Sequence, residues 1–86
     1  GNMYLYIENK HFILIEDVYL IIDYVDFFKN KENKAVFEKY KKLDLSEKEK
    51  RTLIFTKKYI YITSYTNRAL NMRMNEYQRR IDSVVF

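Results

Sequence analysis

Side chains able to make or break covalent bonds are scarce in this sequence. Cysteine is absent, which removes thiol nucleophiles, thiolate metal sites and disulfides together. His11 is the sole histidine, so no two-histidine metal site can be built, and its place beside Phe12 in an apolar stretch predicts a structural role. Glu16 and Asp17 are adjacent, and adjacent strand positions face opposite ways, so they suit neither a shared-proton dyad nor a glycosidase pair. Ser46, Ser64 and Ser83 have no histidine or lysine at a spacing diagnostic of an activated nucleophile. The one glycine is Gly1, which excludes a glycine-rich loop cradling phosphate. The expectation is a protein that binds rather than catalyses, with no cofactor, no metal and no small-molecule substrate.

Two kinds of residue could do the binding. Nine tyrosines and six phenylalanines could stack on bases, and Tyr59 and Tyr61 share one face of a strand. The glycine-containing aromatic motif of RNA-binding sheets is missing, so these rings read as cross-strand packing or interface. The basic residues say more. The net charge of +4 is unevenly spread: residues 1–28 hold one lysine and five acids, whereas 29–51 and 52–86 each sum to +4. Such asymmetry suggests a side that faces a polyanion. Lys48, Lys50 and Arg51 run into a strand, and Arg68, Arg73, Arg79 and Arg80 follow along the final helix. Glu47 and Glu49 interleave with the first group, and Glu76 stands four residues before Arg80, which are also the marks of an ordinary charged surface.

The elements that must position these residues follow from hydrophobic period. Residues 4–7 and 11–15 read as a hairpin, and 18–22 as a third strand whose apolar residues do not alternate, so that both faces should be covered, another subunit being one available cover. From about residue 30, Val36, Phe37, Tyr40 and Leu43 recur at helical spacing among lysines and glutamates, predicting an amphipathic helix. Residues 44–50 are a charged surface loop. Residues 52–56 and 59–63 form two strands joined at Lys57-Lys58, a poor pair where a two-residue turn requires positive φ. Residues 64–67 supply capping side chains for a helix marked by Leu70, Met74, Tyr77 and Ile81 and ending near Asp82. The predicted fold class is α+β, a small antiparallel sheet with two helices in the order βββαββα.

Eighty-six residues make one domain near the lower limit for an independent core, so oligomerisation is expected. Gly1-Asn2 before Met3 reads as the remnant of a cleaved expression tag, leaving a single domain over 3–86. The apolar stretch 12–28 is interrupted by Glu16, Asp17, Asp23 and Asp26, so no membrane association is expected, and the lack of cysteine suggests a cytoplasmic protein.

The stretch from Lys50 to Arg73, including Thr52-Leu53-Ile54-Phe55-Thr56, Tyr59-Ile60-Tyr61-Ile62-Thr63-Ser64-Tyr65-Thr66-Asn67 and Ala69-Leu70, resembles the extracellular-matrix regulator family RemA/RemB, closer to the RemB branch. Met3 to Ile7, the strand ending at Ile15, Asp17 and residues 18–23 resemble its opening, and Val36-Phe37 falls where the family has phenylalanine-leucine. The resemblance implies a bacterial DNA-binding transcriptional regulator, controlling biofilm matrix genes and assembling, in the RemA branch, into rings whose basic rim meets the duplex. It carries nucleic-acid binding onto Lys48, Lys50 and Arg51; Lys57 and Arg73 are expected as further phosphate contacts on their charge, not from the resemblance. This chain departs from RemA at Asp17, where RemA has arginine, and at Glu49, which is basic there, so DNA affinity should be weaker or differently placed; Ser64 also replaces the family's proline. The alternative is an oligomeric protein-interaction or scaffolding module that binds no DNA.

Overall fold

A computed structural model describes residues 3–84, with side chains through Glu76. The order is β1 (Tyr4–Glu8), β2 (His11–Leu14), a 3-10 turn (Ile15–Asp17), β3 (Val18–Asp23), α1 (Tyr24–Phe28), α2 (Lys31–Lys39), β4 (Lys42–Asp44), β5 (Thr52–Thr56), β6 (Ile60–Thr63) and α3 (Asn67–Val84). The α+β class holds, and the expected strands and closing helix lie close to their predicted places. No described helix is long and apolar enough to cross a membrane.

β1 and β2 form their own antiparallel hairpin, and the remaining strands form one sheet in the order β3-β5-β6-β4. β5 is the central organiser because its period of two sends alternate side chains to opposite faces. Ile54 enters one core with Leu5, Ile7, Ile13, Leu45 and Leu70, under the hairpin and α3. Leu53 and Phe55 enter a second core with Phe27, Ile60 and Ile62, under α1 and α2. The chain is thus three layers: hairpin with α3, sheet, and the pair of short helices.

Four expectations change. The sheet is mixed rather than antiparallel, for β4 runs parallel to β6. The helix expected through Leu43 stops at Lys39, because Leu43 lies in β4 and packs into the opposite core from Phe37. Lys42 closes that helix by donating from Nζ to the carbonyls of Phe37 and Tyr40 at 3.1 and 3.0 Å. Three helices stand where two were expected, α1 being added between β3 and α2, and β3 is only half covered within the chain, with Ile21 packing on the first core and Ile22 on the second. It is an edge, bulged at Tyr19, which leaves Tyr19 65% and Leu20 46% exposed.

Local capping explains the helix starts. Asp23 accepts from the Asp26 amide at α1, Asn30 from the Glu32 amide at α2, and Thr66 Oγ1 from the Ala69 amide at α3. The turns are built without glycine. Positive φ occurs at Asn9 and Lys10, 54° and 62°, in the two-residue turn of the first hairpin, whereas Lys57-Lys58 avoids it by a longer connection closed by Thr56. A lysine in the left-handed region costs about 1 kcal/mol. Lys10→Gly is therefore expected to stabilise the chain by about 0.5–1 kcal/mol, read as a raised urea midpoint with an unchanged slope.

Candidate nucleic-acid interface

The connection from β4 to β5 has to step over the end of β6, because β6 lies between those two strands. Residues 45–51 make this crossing. Leu45 anchors its start, buried in the first core and donating its amide to the Ile62 carbonyl at 2.8 Å. The Arg51 amide donates to the Thr63 carbonyl at 2.9 Å and closes its end.

Between these anchors the loop is held by Glu8, the last residue of β1, which is 4% exposed. Its carboxylate accepts from Thr63 Oγ1 at 2.7 Å, from the Ser64 amide at 2.7 Å, from Ser64 Oγ at 2.5 Å and from the Glu47 amide at 3.0 Å. Glu47 returns the contact by accepting from the Asn9 amide at 3.1 Å, and the Lys48 amide donates to Ser64 Oγ at 3.0 Å. Burial pushes the Glu8 carboxyl up, but the donors from Ser64, Glu47 and Thr63 together outweigh it and hold the group below its ordinary value. On the far side of the loop, burial likewise opposes ionisation of Asp44, and Ser46 and Lys50 overcome it to lower its value.

The pinned loop brings Lys48, Lys50 and Arg51 together, as the sequence suggested. Lys48 and Arg51 line one cleft of about 510 Å³ together with Glu8, Glu47, Ser64 and Thr66, and Lys50 and Arg51 line a smaller one beside it together with Asp23, Glu49 and Thr66. Lys50 is paired with Asp44 at 3.3 Å, both side chains a little under half exposed, and Arg51 with Glu49 at 3.2 Å, nearer the surface. Lys48 makes no ion pair among the described residues. Lys57 is not part of this group. It sits beyond the other end of β5, roughly 20 Å along the strand from Arg51, paired with Asp17 at 3.7 Å. Arg73 is turned to the protein: its guanidinium lies 4.6 Å from the Tyr65 ring and 5.5 Å from that of Tyr6, and Nη1 donates to the Tyr6 carbonyl at 3.2 Å. Side chains of Arg79 and Arg80 lie outside the described residues.

Asp17 and Glu49 thus each meet a cation expected to contact phosphate, Lys57 and Arg51 respectively. Other candidate groups are absorbed by structure. His11 Nδ1 is 3.2 Å from the Asn9 carbonyl, Glu16 accepts from the Met3 amide, and Tyr59 packs edge-on against Tyr61 at 5.6 Å. Among the described residues no group of three His, Asp or Glu is placed to hold a metal ion. Sequence reasoning missed Glu8, whose only sign is a carboxylate closing an apolar strand just before a turn. No family model, curated protein or solved structure matches the chain.

Because the folded-state pKa of Glu8 is depressed, its contribution to stability is present above the ordinary glutamate value, about 4.3, and is lost as pH falls through the lower folded value. Unfolding free energy should accordingly be flat from pH 7 to about 5 and decline below about 4.3. Glu8→Gln replaces an acceptor oxygen by a donor facing other donors and should cost about 2 kcal/mol or more at pH 7, while flattening the acid limb of the urea-midpoint profile.

Proposed function

We propose that this chain is a small DNA-binding regulator that works as a homo-oligomer and holds the duplex mainly through phosphate contacts. The observation that carries the reading is the clustering of Lys48, Lys50 and Arg51 on one loop whose backbone is fixed from within. A loop already ordered loses little further entropy on binding, and its cations can meet a phosphate without rearranging the fold. The pairs Lys50–Asp44 and Arg51–Glu49 do not stand in the way, since exposed ion pairs are worth about 0–1 kcal/mol and exchange for the charge-assisted bonds a phosphate offers. Lys57 and Arg73 supply outlying charge. Phosphate contacts carry no base information, so affinity is salt-dependent and weakly sequence-selective. The RemB-like pattern from Lys50 to Arg73 supports a transcriptional role in the cytoplasm, with control of biofilm matrix genes as its extension.

The β3 edge favours a second reading, a scaffolding module that assembles without DNA. Its unpaired backbone and the exposed Tyr19 and Leu20 form a template for another strand, held in check by the bulge at Tyr19. The same edge serves the first reading as the oligomer contact.

In gel-shift titrations of a duplex of arbitrary sequence, Lys48→Ala, Lys50→Ala and Arg51→Ala should each weaken binding and lower the slope of log affinity against log salt by about one. Glu49→Gln, by releasing Arg51, should tighten it a few-fold, worth about 0.5–1 kcal/mol. An unchanged slope in both Lys50→Ala and Arg51→Ala would sink the assignment to DNA. For the edge, Leu20→Lys should reduce the mass measured by light scattering toward that of a single chain; an oligomer that persists unaltered places its contact elsewhere.

A further inference from the structure

On the sheet face away from the hairpin, α1, α2 and the start of β4 enclose the most voluminous of the described clefts, about 740 Å³. Its size lies in the range of ligand sites, roughly 300–1,000 Å³. The floor is three half-buried rings, with Tyr24 and Phe28 at 4.8 Å between centroids and Phe28 and Phe37 at 5.1 Å. No aliphatic side chain enters the lining. Phe27, buried in the second core, packs edge-on against Phe28 at 5.1 Å, so the floor is held from behind before any ligand arrives.

The rim is basic. Lys31 and Lys34 stand one helical turn apart on α2, on the same side of the groove and exposed. Lys42 adds charge to the field 4.9 Å from the Phe37 ring, although its ammonium is engaged by the closing carbonyls of α2. Glu38 is the single acid of the lining. The segment 29–42 as a whole contains six lysines and two glutamates.

We infer that this groove binds single-stranded nucleic acid, with bases against Tyr24, Phe28 and Phe37 and backbone phosphates on Lys31 and Lys34. Rings with a cationic rim match the two chemistries of a single strand, π faces and regularly spaced anions. A duplex offers only the second, since its bases are stacked away. An acidic amphipathic peptide matches the charge but is ordinarily anchored by side chains seated among aliphatic residues and methionines, which this lining lacks. The site shares no lining residue with the clefts of Lys48, Lys50 and Arg51, which it adjoins where the Tyr24 amide donates to the Arg51 carbonyl at 2.9 Å, and the inference does not depend on duplex binding there.

Fluorescence anisotropy of the full chain with a labelled oligo(dT) of about ten nucleotides tests it, beside an abasic strand of equal length, a duplex, and a Glu- and Phe-containing peptide. The oligo(dT) should bind at least about tenfold more tightly than the abasic strand. Lys31→Glu with Lys34→Glu, exposed positions that leave the core intact, should weaken it at least about tenfold with an unaltered circular dichroism spectrum. Tyr24→Leu, which keeps apolar bulk but removes a ring, should weaken it about fivefold. Lys50→Ala with Arg51→Ala should leave single-strand affinity within about twofold while weakening duplex binding, which separates the two sites. Equal affinity for the abasic strand, tighter capture of the peptide, or indifference to the double Lys→Glu change overturns the inference.

Discussion

A single buried carboxylate holds one end of this molecule together. Glu8 has been taken out of water at the end of the first hairpin, a transfer that is unfavourable for an ion unless its lone pairs are satisfied. They are satisfied by groups that have little else to bond: the Ser64 amide just past the end of β6, the hydroxyls of Thr63 and Ser64, and the Glu47 amide in the crossing loop. The acceptor and its donors are separated by 39 residues at Glu47 and 55 to 56 at Thr63 and Ser64. One group therefore closes the hairpin, the sheet and the loop onto one another, and the positions of Lys48, Lys50 and Arg51 follow from that closure.

The same logic explains the charge asymmetry of the chain. The acids of the first 28 residues all engage partners within the chain, Glu8 buried on the crossing loop and the others nearer the surface: Glu16 on the Met3 amide, Asp17 on Lys57, Asp23 on the first turn of α1 and Asp26 on Lys29. Lys31, Lys34 and Lys48 meet no such ion-pair partner among the described residues. These three stand in two places: Lys48 on the crossing loop at the carboxyl ends of β4 and β6, where Asp44, Glu47 and Glu49 balance the loop's three cations, and Lys31 and Lys34 at the groove under α1 and α2. A sheet with a core on each face makes this separation possible, since β5 sends Ile54 to one side and Leu53 and Phe55 to the other.

Much of the fold was legible because its signals are local. Apolar runs rich in β-branched and aromatic residues mark β1, β2, β3, β5 and β6, and Leu70 and Met74 at helical spacing behind the Thr66 cap mark α3. The stretch 24–44 resisted the same reading. Phe37 and Leu43 share a helical period but end in opposite cores, and three residues of β4 are too few to show a strand pattern. The grouping of Lys48, Lys50 and Arg51 was visible as proximity along the chain, while Lys57 and Arg73 were drawn in by charge alone and stand apart or face inward.

By itself, then, the sequence determined the α+β class, the scarcity of catalytic groups and the basic character of the last two thirds, all of which depend on residue type and short-range period. Only the tertiary structure decided which charges are free, because an ion's availability depends on what lies beside it in space. It made Glu8 a brace rather than a surface acid, set Asp17 and Glu49 against the cations they neutralise, and assembled Tyr24, Phe28 and Phe37 into one floor. Hydrogen bonds and ring contacts act over a few ångströms, and the chain brings distant residues to that range through the order β3-β5-β6-β4, which no local pattern encodes.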